Sequence, residues 1–225
     1  MPTLIARISG VFAEAERLFR RAWRTLVADP RGALRLCVAF FRGTRYVLQY
    51  RLFRKDVRIQ MPFFAFTRVR IHGPGKVRIG GYCFAYPNVF EGVTITTLSP
   101  MAQLHIGRSV SLGGVTIRCW NKIDLKDRSM TANCLIQDGI FVYPDCFPLW
   151  TQQSKRHEQI VIEENTWVGF SSCILEGTHI GRDSVIAEGA VCFRKTIAPY
   201  HLAIGNPINR SIAIDHFRKF RGDTC

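Results

Sequence analysis

Residues 162–197 repeat with a period of six, and that period limits what the chain can fold into. Written in sixes, the stretch reads IEENTW, VGFSSC, ILEGTH, IGRDSV, IAEGAV, CFRKTI. The first place holds Ile162, Val168, Ile174, Ile180, Ile186 and Cys192, all apolar; the fifth holds Thr166, Ser172, Thr178, Ser184, Ala190 and Thr196, all small or β-branched. An amphipathic helix repeats every 3.6 residues or so and a half-buried strand about every two, so neither explains a period of six. A triangular solenoid does. Each unit of six makes one flat face and one corner. Its first residue points inward and stacks on the equivalent residue one coil, or 18 positions, later in the sequence. Its fifth points inward near a corner and must be small. The expected fold is mainly β: a parallel β-helix whose stacked coils share one core.

Weaker sixes extend the pattern backwards. Ile106–Leu112 forms one good unit, and Ile71–Val77 with Ile79-Gly80 reads as opening coils. Residues 138–161 break the period and are expected to loop out, leaving about seven coils over residues 67–197. Residues 1–60 follow a helical period. Val11, Phe12, Ala15, Leu18, Phe19, Ala22, Trp23 and Leu26 recur at steps of three and four, with arginines on the other faces. Asp29-Pro30 then supplies an N-cap followed by proline at the first helical position, predicting a second helix to about Phe53. On it Leu34, Val38 and Phe41 share a face. The organisation read from this is a basic amphipathic helical extension (1–60), a β-helix domain (61–212) and a basic C-terminal tail (213–225).

Charge is uneven. The chain carries 31 Lys or Arg against 17 Asp or Glu, and residues 1–60 alone hold 13 against 4. Such a preface suits an anionic partner. No helix-turn-helix, RRM or KH pattern accompanies it, so nucleic acid is not the expected partner. Phe12, Phe19 and Trp23 opposite the arginines suit an interfacial membrane helix, with helix-on-helix packing as the alternative. No apolar run reaches the length of about 18 residues that a spanning helix needs, and no secretory signal pattern is seen. The eight cysteines are scattered without a CxxC pair and read as reduced, small apolar residues, not as a metal site.

Several stretches resemble the hexapeptide-repeat acyltransferases, especially the O-acetyltransferases of surface polysaccharide assembly. They are Trp167-Val168-Gly169, Glu176-Gly177-Thr178-His179-Ile180-Gly181, Ile186-Ala187-Glu188-Gly189-Ala190-Val191 and Gly205-Asn206-Pro207, with Ile106–Ile117 similar to the family's central coils. The resemblance covers about residues 67–212. It implies a left-handed β-helix, a homotrimer, and acetyl-CoA or another acyl-CoA held in clefts between subunits as co-substrate. It implies cofactor contacts by Trp167, Gly169, Ala187, Gly189, Arg194, Lys195 and Asn206.

O-Acetyl transfer needs a base for the acceptor hydroxyl, and histidine suits that near neutral pH. The family's histidine follows an Asp-x-His pattern in the loop before the Trp-x-Gly coil. The equivalent here is Asp145-Cys146-Phe147-Pro148, with Phe147 where histidine is expected, and Gly113 stands where the family often has asparagine. His157 is the one histidine between His105 and His179. It is the candidate base, oriented by Asp145 or Glu158; the alternative is a solvated loop histidine. His179 and His105 occupy outward places and read as surface residues. Trp167 and Gly169 read as an apolar cofactor wall or as a plain corner, and Arg194 and Lys195 as phosphate ligands or as a solvated edge.

The expected function is acyl-CoA-dependent O-acylation of a sugar or lipid-linked glycan in surface polysaccharide synthesis. The expected location is cytoplasmic, peripheral on the inner face of the membrane, with residues 1–57 on an anionic surface. The alternatives are a catalytically degenerate trimeric scaffold or regulator, and a nucleotide-sugar N-acyltransferase.

Overall fold

The computed structural model describes residues 29–87, 92–139 and 158–214. Within them the strands form three parallel faces of a prism. The first face stacks β1 (Val57–Ile59), β4 (Lys76–Ile79), β7 (Gln103–Ile106), β10 (Lys122–Leu125), β13 (Ile160–Ile162), β16 (His179–Ile180) and β19 (Thr196–Ile197). The second stacks β2 (Phe63–Ala65), β5 (Cys83–Tyr86), β8 (Ser111–Gly113), β11 (Met130–Ala132), β14 (Trp167–Val168), β17 (Val185–Ile186) and β20 (His201–Gly205). The third stacks β3 (Val69–His72), β6 (Val93–Thr97), β9 (Thr116–Cys119), β12 (Leu135–Gln137), β15 (Cys173–Leu175) and β18 (Val191–Cys192). The coils thus begin at Val57, ahead of the residue 67 that the sequence repeats suggested.

Ile162, Val168, Ile174, Ile180 and Ile186 are all fully buried. Ile162 stacks on Ile180, Val168 on Ile186 and Ile174 on Cys192, each 18 positions on. Ile180 instead meets Ile197, and Ile186 meets Ala203, because the last coil is one residue shorter. That shortening turns Thr196 outward, against the expectation that every fifth place points in. The other fifth places are buried, and their hydroxyls explain the choice of residue. Thr166 donates to the Gly181 carbonyl, Ser172 to Gly169, Thr178 to Cys192 and Ser184 to Ala198. Each hydroxyl bonds a carbonyl at the corner, and that of Gly169 also accepts from Ser172 N at 3.4 Å.

The corner from the first face to the second turns on one left-handed residue per coil: Tyr82, Ser109, Arg128, Asn165, Asp183 and Tyr200. From Ser109 on, each of their amides donates to a backbone carbonyl in the preceding coil. Asn and Asp tolerate this conformation best, and Asn165 Nδ2 reaches Asp183 Oδ1 at 2.6 Å.

The helix α1 (Pro30–Phe53) covers the open end of the first coil. Asp29 caps it, its Oδ1 accepting from Gly32 N at 2.9 Å. Tyr46 and Tyr50 accept hydrogen bonds from the amides of Val69 and Ile71 on the exposed edge of the third face. Burial pushes the Tyr50 hydroxyl up despite its bond from Ile71. The docked side is small: a Cβ on Gly43 would lie 1.7 Å from the Phe63 carbonyl oxygen. Leu34, Val38 and Phe41 do share a face, but it points away from the core; Phe41 is 71% exposed. The helix is therefore an end cap, and removing residues 1–57 would uncover unpaired strand amides. The first predicted helix lies outside the described residues. At the far end β21 (Ile208–Ala213) folds antiparallel on β20.

Replacing Ile174 with Asp puts an unpaired charge among stacked apolar side chains, so urea unfolding should show a loss of several kcal/mol. A loss below about 1 kcal/mol would contradict the stacked core. The buried thiols give a second check. Burial pushes Cys83 up to about 11 and Cys134 and Cys192 up to about 12; it raises Cys119 too, helped by Asp138. A thiol with a raised pKa stays protonated and unreactive at pH 8. Iodoacetamide on the folded protein should therefore modify exposed Cys37 and spare these four, and all should react in denaturant.

Candidate functional site

The residues singled out from the sequence fall on two different edges of the prism. The edge between the second and third faces carries a column of side chains no larger than methyl. Gly113 stands opposite Ala132, Gly169 follows Val168 in the next coil, and Ala187 follows its partner Ile186. Gly169 is buried, and a Cβ there would lie 2.6 Å from the Ile186 carbonyl oxygen, whose bond from Gly169 N is 2.9 Å. Gly189 turns the same edge at φ +69° and faces open space. Asn206 is exposed just beyond β20, at the end of this edge. Trp167 lies on the adjoining face between Met130 and Val185, half exposed. A flat indole thus borders a strip of small residues: the next coil's backbone fills the space beside Gly169, and Gly189 is the one that faces open space.

Arg194 and Lys195 stand elsewhere, at the edge between the third and first faces. Arg194 Nη2 donates to Glu176 Oε1 at 2.9 Å, and its guanidinium lies 5.1 Å from the Phe193 ring centroid. Lys195 is exposed. The long interruption leaves at this same edge, after β12, and returns before β13. Its last residues pack here: Gly177 N donates to the Glu158 carbonyl at 3.3 Å, and Gly177 lies between the side chains of Glu158 and Arg194. His157, Asp145 and Phe147 lie outside the described residues. Glu158, the residue after His157, lies beside Arg194.

His105 and His179 point outward from the flat first face, not from a corner. Each has a carboxylate: His105 Nδ1 is 2.9 Å from Asp124 Oδ1, and His179 Nε2 is 3.2 Å from Glu163 Oε1. Burial raises the Asp124 carboxyl, but the hydrogen bonds and charges of His105 and Lys126 outweigh it and hold it below the usual range. This pairing went unread in the sequence. Its signal is Asp124 lying one coil, 19 positions, after His105.

Gly113 is a departure with a structural cause. A Cβ there would meet the Thr131 carbonyl oxygen at 2.4 Å, so an asparagine does not fit this backbone. Among the described residues no group of three His, Cys, Asp or Glu can hold a metal ion.

Stacked three-sided coils, buried corner hydroxyls and the six-residue period define a hexapeptide-repeat β-helix. The family described as bacterial transferase hexapeptide (six repeats) matches residues 159–194. A probable acetyltransferase of Mycobacterium tuberculosis is 26% identical over 211 residues, a match covering 83% of this chain and 67% of that protein. The crystal structure of the polySia specific acetyltransferase NeuO superposes with a TM-score of 0.53 at 19% identity, over 70% of this chain and 71% of that one. A hexapeptide-repeat acetyltransferase of Vibrio cholerae, solved with acetyl coenzyme A, gives a TM-score of 0.45 at 22% identity, over 89% and 90%. The likeness to NeuO is one of fold, the left-handed β-helix.

Proposed function

We propose that the chain is an acyl-CoA-dependent O-acyltransferase acting on a sugar or lipid-linked glycan in surface polysaccharide synthesis. One observation carries the reading: the edge of small residues at Gly169, Ala187 and the open Gly189 beside Trp167, inside coils that match the transferase repeat. The pantetheine arm of an acyl-CoA, acetyl-CoA first among them, would lie along this strip. Arg194 and Lys195 would meet the phosphates, as guanidinium and ammonium groups do.

The acceptor hydroxyl attacks the thioester carbonyl carbon, the C–O bond forms and the C–S bond breaks. His157 takes the hydroxyl proton and returns it to the departing thiolate, with Asp145 or Glu158 orienting the ring. The adjacent Lys155 and Arg156 favour the neutral imidazole that a base requires, and Glu158 opposes them.

The strip and the cationic edge lie on different edges of one prism, so a second subunit must unite them. A threefold assembly does so by setting one prism's edge against the next prism's other edge. A scaffold that keeps this architecture without turnover is the second reading, and two observations favour it: Phe147 in place of the family histidine, and the closed space at Gly113. We also place the protein at the cytoplasmic face of a membrane, attached peripherally through α1 and the residues before it. Leu34, Phe41, Leu52 and Phe53 are more than 60% exposed there and interleave with arginines. No described helix is long and apolar enough to cross a membrane.

Calorimetry with acetyl-CoA and a transfer assay on glycan acceptors separate the readings. Binding with turnover is expected, and His157→Ala should lower the rate by about 10²–10⁴ while binding persists. A loss within about threefold would remove His157 as the base. Binding without turnover, together with activity gained by Phe147→His, would establish the scaffold. Light scattering at micromolar concentration should give three times the chain mass; a monomer would contradict the shared site.

A further inference from the structure

A cleft of about 900 Å³ opens between the last turns of α1 and the first coil, at the end of the prism opposite Trp167 and Arg194. Arg51, Arg54, Lys55 and Arg58 line it, together with apolar Val47 and Ile59, and its lining includes no acid. Arg54 is fixed by donating to the Gly73 carbonyl. Arg51, Lys55 and Arg58 are exposed and have no carboxylate partner among the described residues. Asp56, the nearby acid, is exposed, and its carbonyl accepts from Val77 N. The negative end of the helix dipole accommodates cations at its last turn. It does not account for four cations around one cavity, whose mutual repulsion an anion would relieve. Apolar side chains belong to the same lining: Val47 and Ile59 are half-buried and Met61 is exposed.

Cations in a cavity beside apolar side chains match one chemistry, a phosphate carried on a hydrocarbon chain. Guanidinium groups hold phosphate oxygens in pairs, and the cleft has three of them with one lysine. We propose that this cleft binds the phosphate of an anionic lipid phosphoester, with the hydrocarbon on Val47, Ile59 and Met61. The site is separate from the acyl-transfer edges and goes beyond that reading. It gives the membrane attachment a defined contact in place of a diffuse field.

The test is titration of the full chain with dihexanoyl phosphatidic acid below its micelle concentration, followed by NMR or calorimetry, with inorganic phosphate in parallel. The lipid should bind roughly tenfold or more tightly than inorganic phosphate, since apolar contact adds to charge-assisted hydrogen bonds. Joint Arg51→Gln and Arg58→Gln replacement should weaken lipid binding roughly tenfold, whereas Arg31→Gln with Arg35→Gln, exposed at the other end of α1, should not. Met61→Ser should weaken the lipid and leave phosphate unchanged. All these side chains are exposed, and circular dichroism checks that each variant folds. Equal affinity for lipid and phosphate would overturn the proposal in favour of a plain anion site. Equal loss from both arginine pairs would overturn it in favour of diffuse attraction. Acetyl-CoA calorimetry on the same wild-type sample reads the transferase proposal independently.

Discussion

The structure depends on the parallel register between successive coils. A face of two to five residues buries nothing by itself; it becomes core only when the next coil pairs with it. The same pairing satisfies the backbone, amide to carbonyl, along all three faces. Such a column has no lateral edges, but it has two open ends, and each end shows strand amides and carbonyls to solvent. Here α1 closes one with two tyrosine hydroxyls, and the β20–β21 hairpin closes the other. The charged preface of the sequence is therefore partly structural, and its helix cannot be deleted as if it were a tag.

The same register explains what could be read beforehand. Between Ile162 and Cys192 every coil advances by 18 residues, so identical roles recur at fixed spacing and the eye finds them. Before that, Val57 pairs with Val77, Val77 with Leu104, Leu104 with Ile123 and Ile123 with Ile160, and no two of these spacings agree. Corners that absorb extra residues hide the period without disturbing the inward column. Thr196 shows the converse: one residue fewer at a corner reverses a side chain that the pattern assigned inward. The helix ends were legible because Asp29-Pro30 is a local signal. Its buried side was not, because close approach to Phe63 favours Ala39 and Gly43 over large apolar residues, and hydrophobic periodicity points the wrong way.

The site was legible as residues and not as a place. Gly169, Ala187 and Gly189 gather at one edge because each follows a second-face strand, and Trp167 lies within that face beside them. Arg194 and Lys195 follow a third-face strand and so turn the next corner. Sequence spacing gives the coil, and the turn gives the edge, which is why seven residues assigned to one cofactor separate onto two sides of one subunit. Gly113 is a related case. It looks like a lost catalytic group in the sequence, yet the Thr131 carbonyl opposite leaves no room for a side chain.

A solenoid also has a direction, which fixes how the two proposed sites stand along one axis. In the proposed threefold assembly the three prism axes run parallel, so all three α1 caps face one way. Three basic, apolar-rimmed clefts would then meet the same surface at once. Binding that is weak for one cleft becomes firm for three, because the second and third contacts form within one particle. The edges proposed for acyl transfer lie in the last coils, at the far end of the axis from those caps. If the proposed membrane attachment holds, an acceptor anchored in that membrane would have to extend along the prism, several coils of about 4.8 Å each. On the proposed reading, a long glycan chain would have that reach and a compact headgroup would not. The two ends would then divide the work, one holding the surface and the other the reacting hydroxyl.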